Sequence, residues 1–199
     1  MTGEDGTSQD GLSARKLSAM AIGTALVTVA AVFALDRASK SWALNNLQMH
    51  NSQTLIDGFL KLTLTTNTGA AFSLGANNSS FMTITAVVLT AALTFWLASR
   101  IARGQTIPIM ELVGLSCIIG GSLGNLTDRF SQGHVTDFLE FSFFSFPVFN
   151  VADTFINIGL GLVLISRMLE DRGKMDSEPT SGDEPGKDSE KPPEKTNQQ

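Results

Sequence analysis

Two carboxylates stand in apolar surroundings at positions where acid–base chemistry is possible. Asp137 lies in Gly133-His134-Val135-Thr136-Asp137-Phe138, with Val135, Phe138 and Leu139 around it. Asp153 lies in Phe149-Asn150-Val151-Ala152-Asp153-Thr154-Phe155-Ile156-Asn157, after a 15-residue connection. Carboxyl groups paired in a partly apolar site do not easily both ionise, and come to share a proton. One can then take a proton from water while the other donates to a substrate, which is hydrolytic chemistry. Spacing alone does not establish that the two meet; their proximity is an inference from topology. Asn150, Asp153 and Asn157 fall on one stripe of a helix. Asn150 as N-cap with Asp153 at N3 would be a relative of the capping box, but leaves Asn157 without a purpose. A polar stripe facing the bundle interior accounts for all three.

Other polar residues need reasons of their own, because an Asp at the centre of a bilayer costs ~2.5–3.5 kcal/mol on insertion scales. Asp36 precedes Lys40 by one helical turn, the favourable order for an ion pair. A boundary salt bridge explains the pair as well as a functional role does. Asn125-Leu126-Thr127-Asp128-Arg129 forms a polar cluster at the end of an apolar run. Glu111 lies near the start of that run, where snorkelling to the interface would suffice.

The elements that must position these groups follow from segment length. A hydrocarbon layer of about 30 Å needs roughly 20 apolar residues as helix. Leu17–Leu35 and Phe81–Ser99 are each 19 residues without a charge; Ile107–Thr127 is broken only by Glu111, and Val148–Leu169 only by Asp153 and Arg167. The expected fold is a mainly α membrane protein: four transmembrane helices with a small β-sheet on the outer face between helices 1 and 2. A soluble four-helix bundle would show polar faces with a 3.6-residue period, and the first two runs carry only scattered Ser and Thr. A cleaved signal peptide, with Arg15-Lys16 ahead of it and Val32-Phe33-Ala34 as cleavage site, is disfavoured. The apolar run is longer than the usual ~7–15 residues.

The division is then a cytoplasmic N-terminal segment, 1–16; a four-helix domain, 17–170, with spans near 17–35, 81–99, 107–127 and 148–169; and a tail, 171–199. Near the spans, Arg15, Lys16, Arg100, Arg103, Arg167, Arg172 and Lys174 on the side of the termini outnumber Arg37, Lys40, Lys61 and Arg129 on the other, which favours termini in the cytoplasm. In the first outer loop Leu60, Leu62 and Leu64 alternate with Lys61, Thr63 and Thr65, the period of a half-buried strand. Turn signals at Asp57-Gly58 and Asn67-Thr68-Gly69 bound an outer β region near 54–74. The tail holds eight acids, five bases and four of the six prolines, and is expected to be disordered.

Several chemistries are weak. Gly120-Gly121-Ser122-Leu123-Gly124 matches the G-x-S-x-G elbow of serine hydrolases, but that elbow needs a strand before the Ser. Gly120-x-x-x-Gly124 reads better as a helix-packing face. Such an intramembrane serine protease would have His134 or His50 as base. Cys117 suits a small buried apolar position, and one Cys excludes a disulfide-stapled module. Two His and one Cys at no ligand spacing argue against a metal. The net charge of −5, without a basic stripe, excludes a nucleic-acid binder. A proton-coupled transporter using Asp153 and Asp36 would call for discontinuous helices and an internal repeat, and no repeat is visible. A non-catalytic membrane scaffold would leave Asp137 and Asp153 individually dispensable.

Asp36-Arg37-Ala38-Ser39-Lys40, Asn67-Thr68-Gly69-Ala70-Ala71-Phe72, Gly124-Asn125-Leu126-Thr127-Asp128-Arg129, Gly133-His134-Val135-Thr136-Asp137-Phe138 and Phe149-Asn150-Val151-Ala152-Asp153 together resemble lipoprotein signal peptidase (signal peptidase II) in order, spacing and topology, over Leu17 to Leu169. Ser122 and Thr127 stand where that family would have more apolar residues. The resemblance implies a bacterial intramembrane aspartic endopeptidase, without metal or organic cofactor. It would remove signal peptides from prolipoproteins just before a diacylglyceryl-modified Cys. It implies Asp137 and Asp153 as the catalytic dyad, with Asn150, Arg129 and Asn125 shaping the site and contacting substrate. Asn67 and Gly69 would belong to the outer sheet, and Asp36 with Lys40 to a structural network. Its partners would be lipid-modified prolipoproteins and membrane lipids, in the inner or plasma membrane, with the active site toward the outer face and the enzyme a monomer.

Overall fold

Inside hydrocarbon every backbone N–H and C=O must find its partner within the protein, so long uncharged runs become helices. The computed structural model describes residues 5–69 and 79–177. Chain order is α1 (Asp5–Asn46), β1 (Gln53–Ile56), β2 (Leu60–Asn67), α2 (Ser79–Ala102), α3 (Ile109–Gln132), β3 (Val135–Phe141) and α4 (Val151–Ser177). All four helices contain stretches long and apolar enough to cross a membrane: Arg15–Asn46, Ser80–Ala102, Ile109–Gln132 and Val151–Gly173. The three strands form one antiparallel sheet in the order β1-β2-β3. The chain is thus a mainly α, four-span membrane protein with a small sheet.

The bundle is built around α3, 67% of whose spanning window is buried against 6% for α1 and α2. Glycines allow that centrality. A Cβ on Gly120 would lie 2.9 Å from the Val29 carbonyl oxygen of α1, and one on Gly124 would overlap the Asp36 carboxylate. On the opposite side, a Cβ on Gly121 would lie 2.6 Å from the Ala152 carbonyl oxygen of α4, and one on Gly114 would lie 2.7 Å from that of Gly159. The Gly120–Gly124 segment is therefore a two-sided packing face within an unbroken helix, and Ser122 lies inside that helix with no strand leading into it. Leu112, Leu115 and Ile119 of α3 pack with Leu97 and Ile101 of α2.

Several boundaries differ from the sequence reading. The first helix runs to Asn46 instead of ending near Leu35. Its 42 residues make a rod of about 60 Å, twice the hydrocarbon thickness. It continues because Asp36 and Lys40 turn inward and are fully buried, while Trp42 and Leu44 face outward. Ala43 on this extension and Leu47 just after it pack with Leu62, Leu64 and Phe138, seating the sheet on α1. The third helix continues to Gln132 and stops at Gly133, whose φ of 77° lets its N–H bond the Arg129 carbonyl. The fourth begins at Val151, because Phe149 is held in backbone pairing with Leu139. It extends through Asp171 to Ser177, so the first residues of the expected disordered tail are helical; the rest of that tail lies outside the described residues.

The sheet has a strand that the sequence reading missed. Leu60, Leu62 and Leu64 do form β2, with Leu62 and Leu64 buried, and Gly58 makes the turn with φ 68°. β3, however, comes from the second connection and pairs along β2, Thr65 opposite Asp137 and Asn67 opposite Val135. Residues 70–74 of the expected β region lie outside the described residues. Glu111 also differs: it is fully buried, accepting a hydrogen bond from Arg100 Nη1 at 2.5 Å and another from Arg167. Snorkelling is not needed, since α2 and α4 each bring a guanidinium to it.

Candidate active site

The start of α4 sets the first half of the site. Asn150 is its N-cap: Asn150 Oδ1 accepts the Asp153 N–H at 2.9 Å, and Asp153 Oδ2 accepts the Asn150 N–H at 3.3 Å. This is the reciprocal arrangement of a capping box. The Asn150 amide nitrogen remains, and it donates to Asp137 Oδ1 at 2.7 Å and to Asn125 Oδ1 at 3.1 Å. One residue thus caps the helix carrying Asp153 and reaches the carboxylate of Asp137. Asn157 does not join them; it is exposed and its side chain bonds the Asp153 carbonyl one turn back, so the polar stripe proposed for all three residues ends at Asp153.

β3 supplies the second half. Asp137 is 1% exposed and accepts a second hydrogen bond, from Asn67 Nδ2 at 2.9 Å. Asn67 is oriented by Gly69, whose N–H donates to Asn67 Oδ1 at 2.8 Å. Gly69 has φ 90°, and a Cβ there would lie 2.8 Å from Met82 Cγ. Only a glycine fits that turn comfortably. Positions 70–72 of the Asn67 motif lie outside the described residues.

Beneath the pair lies a buried ionic network. Lys40 Nζ sits 2.9 Å from Asp36 Oδ2, 3.0 Å from Asp128 Oδ2 and 2.8 Å from Asn125 Oδ1, with all three charged side chains fully buried. Lys40 thereby fixes the Asn125 amide, whose nitrogen donates to Asp153 Oδ1 at 2.8 Å. Asp36 Oδ1 accepts the Ala152 N–H at 3.0 Å, satisfying one of the open donors of the first turn of α4. The pair Asp36–Lys40 is hence a bridge between helices, buried where a boundary salt bridge would be exposed.

Asp128 is the buried charge beside the site for which the sequence offers no role. It accepts the Thr136 N–H at 3.1 Å, pairs with Lys40, and also holds Arg37. It ties the end of α3 to the strand bearing Asp137. Its position one turn after Asn125, at the end of an apolar run, was the signal available. Arg129 is half-buried and lines, with Asn125, Ser122 and Asp153, a cavity of about 400 Å³ between α2, α3 and α4. Among the described residues, no group of three or more His, Cys, Asp or Glu is arranged to hold a metal ion.

The electrostatics of Asp137 suit proton transfer. Burial pushes its carboxyl from 3.8 up to about 6, and the charge of Asp153 pushes the same way; the hydrogen bonds from Asn67 and Asn150 oppose the rise without cancelling it. The two carboxylates and the shared Asn150 have the parts for acid–base hydrolysis: a group able to hold a proton near neutral pH beside one bonded to donors.

Residues 28–169 match the family described as signal peptidase (SPase) II. The chain belongs to that family. A lipoprotein signal peptidase of Nostoc punctiforme is 39% identical over 134 residues, covering 67% of this chain and 82% of the relative. One from Shewanella sediminis is 38% identical over 150 residues, with 72% and 82% covered. A solved structure described as a bacterial membrane enzyme superposes with a TM-score of 0.68 at 26% identity, covering 80% of this chain and 96% of that one. This signal peptidase II family member is accordingly a multi-pass membrane protease of bacterial type.

Proposed function

We propose that the chain cleaves signal peptides from prolipoproteins, just before a diacylglyceryl-modified Cys, with Asp137 and Asp153 as the catalytic dyad. The observation that carries the reading is the placement of Asn150, bonded to both carboxyl-bearing residues, one of which, Asp153, lines the cavity between α2, α3 and α4. The ionised member of the pair takes a proton from water as the water oxygen attacks the scissile carbonyl carbon. The resulting tetrahedral species collapses, the C–N bond breaks, and the protonated member delivers its proton to the departing amine of the Cys. The signal peptide leaves with a new carboxylate. Asn150 and Asn67 hold Asp137, Asn125 holds Asp153, and Arg129 faces the cavity that the substrate enters.

The substrate is lipid-bearing and enters sideways from the bilayer, so the open side of the cavity between α2 and α4 is its route. The excess of Lys and Arg on the side of the termini supports cytoplasmic termini and a site facing outward. Membrane lipids are the surrounding partners, and a monomer is sufficient because every site residue comes from one chain. The test is cleavage of a lipidated prolipoprotein in bilayers by Asp137→Asn and Asp153→Asn. Each variant is expected to insert and to unfold cooperatively, with a stability no lower than the parent's, and to lose turnover by a factor of about 10⁴ or more, the scale seen when a member of a catalytic unit is removed. Parent-like turnover by either variant would reject the dyad.

A further inference from the structure

Six phenylalanines gather at the end of the sheet: Phe59 in the β1–β2 turn, Phe141 closing β3, Phe143, Phe144 and Phe146 on the connection to α4, and Phe149 just before it. Phe141 is the hub, with ring centroids 4.9 Å from Phe149, 5.3 Å from Phe144 and 5.6 Å from Phe143. Phe59 stacks on Phe143 at 5.3 Å. The cluster holds its shape, yet its rim is open. Phe143 is 59% exposed, and Phe59, Phe144 and Phe146 are 45–47% exposed. Apolar patches of this kind on a folded surface mark contact with another phase or molecule.

What adjoins the patch selects its partner. Phe149 exchanges backbone hydrogen bonds with Leu139 and is followed, after Asn150, by a helix that opens at Val151 as a spanning segment. The rings are therefore held a few residues from where the fourth span begins. Trp42, half-exposed on α1 at this same end of the bundle, is the residue type that settles at a lipid interface. Residues 141–149 contain no charge, and Ser142 and Ser145 are their only polar side chains. Such a surface offers a protein partner little to fix a register, whereas a fluid leaflet needs none.

We infer that the Phe143–Phe146 connection, with Phe59, is a lipid anchor: its rings enter the boundary between headgroups and acyl chains in the leaflet beside the sheet. The anchor holds the sheet against the bilayer at the end that carries the β1–β2 turn. It is a property of the surface and does not depend on which residues are catalytic. Having no cation of its own, it takes zwitterionic lipid as readily as anionic lipid, since its attachment scales with apolar area.

The experiment places one tryptophan in the cluster. In the full chain, Trp42→Phe and Trp96→Phe remove the two native tryptophans, and Phe144→Trp adds a reporter, with Phe143→Trp as a second reporter should the first not fold. The protein is reconstituted in phosphatidylcholine vesicles, with quenching read from lipids brominated high on the acyl chain and from aqueous acrylamide. Strong quenching by bromolipid, little by acrylamide, and no change on adding anionic lipid are expected. Quenching by acrylamide alone would show a water-facing loop and overturn the anchor. Shielding from both quenchers would overturn it equally. If that shielding yields when the protein is diluted in lipid, a second copy is the occupant; if it persists, the rings are covered within the chain.

Discussion

Asp137 accepts two hydrogen bonds that favour its ionised form, and burial outweighs them, raising it from 3.8 to about 6. A pH dependence of stability follows. Between pH 3.8 and about 6 the folded chain binds this proton and the unfolded chain does not. The contribution to stability is therefore fully present below pH 3.8 and is lost as pH rises through 6; the span corresponds to about 3 kcal/mol. Asp137→Asn removes the cost of burying the charge, so its gain in Tm over the parent should be large at pH 8 and vanish toward pH 4. Thermal unfolding in detergent at the two pH values measures this. An equal shift at both would mean that burial does not govern the group. Asp137 and Asp153 could both be picked out in the sequence, because an acid in apolar surroundings is visible there. The mediating role of Asn150 could not, because a capping residue and a site residue have the same local signature.

Elements meet in this protein at glycines. Gly121 and Gly114 of α3 leave no room for a side chain against the backbone of α4, whereas nothing lies within 4 Å of a Cβ placed on Gly23 of α1. Gly121→Ala should thus cost ~1–3 kcal/mol by forcing the helices apart, while Gly23→Ala should be neutral or slightly stabilising. Denaturation of the two variants in mixed micelles compares them directly, and equal stabilities would show that α3 and α4 are free to shift. Because Gly121 abuts Ala152, one residue from Asp153, the same substitution should also reduce turnover. A packing role is legible in the spacing of four between Gly120 and Gly124, which face α1, and less so for Gly114 and Gly121, which are seven apart. Which neighbour each one admits is not, since a helix has two sides and the sequence does not say what stands on each.

On the scale of the whole molecule, two polar clusters hold the bundle at opposite ends. Asp36, Lys40 and Asp128 join α1 and α3 beneath the site, and Glu111 joins α3 to Arg100 of α2 and Arg167 of α4 at the other end. The cavity opens between these same helices, so the distal clamp sets how far α2 and α4 can part. Glu111→Gln removes the shared counter-charge and should cost about 3 kcal/mol, the lower end for breaking a buried pair because Arg167 is half-exposed. Titration of unfolding with denaturing detergent tests this. A variant as stable as the parent would show that the two arginines are satisfied elsewhere.

Sequence by itself determined the spans, the strand at Leu60–Leu64 and the identity of the acidic groups, because hydrocarbon thickness, strand period and the cost of charge in an apolar setting act on local chain. It did not reach the third strand, the continuation of α1 past Leu35, or the burial of Glu111. Each of those depends on a partner far along the chain: β2 for Val135–Phe141, the sheet for Ala43 and Leu47, and the arginines of α2 and α4 for Glu111. Tertiary structure decided them because pairing energy is realised only when distant segments meet, and a charge that looks misplaced in one helix is neutralised by the next.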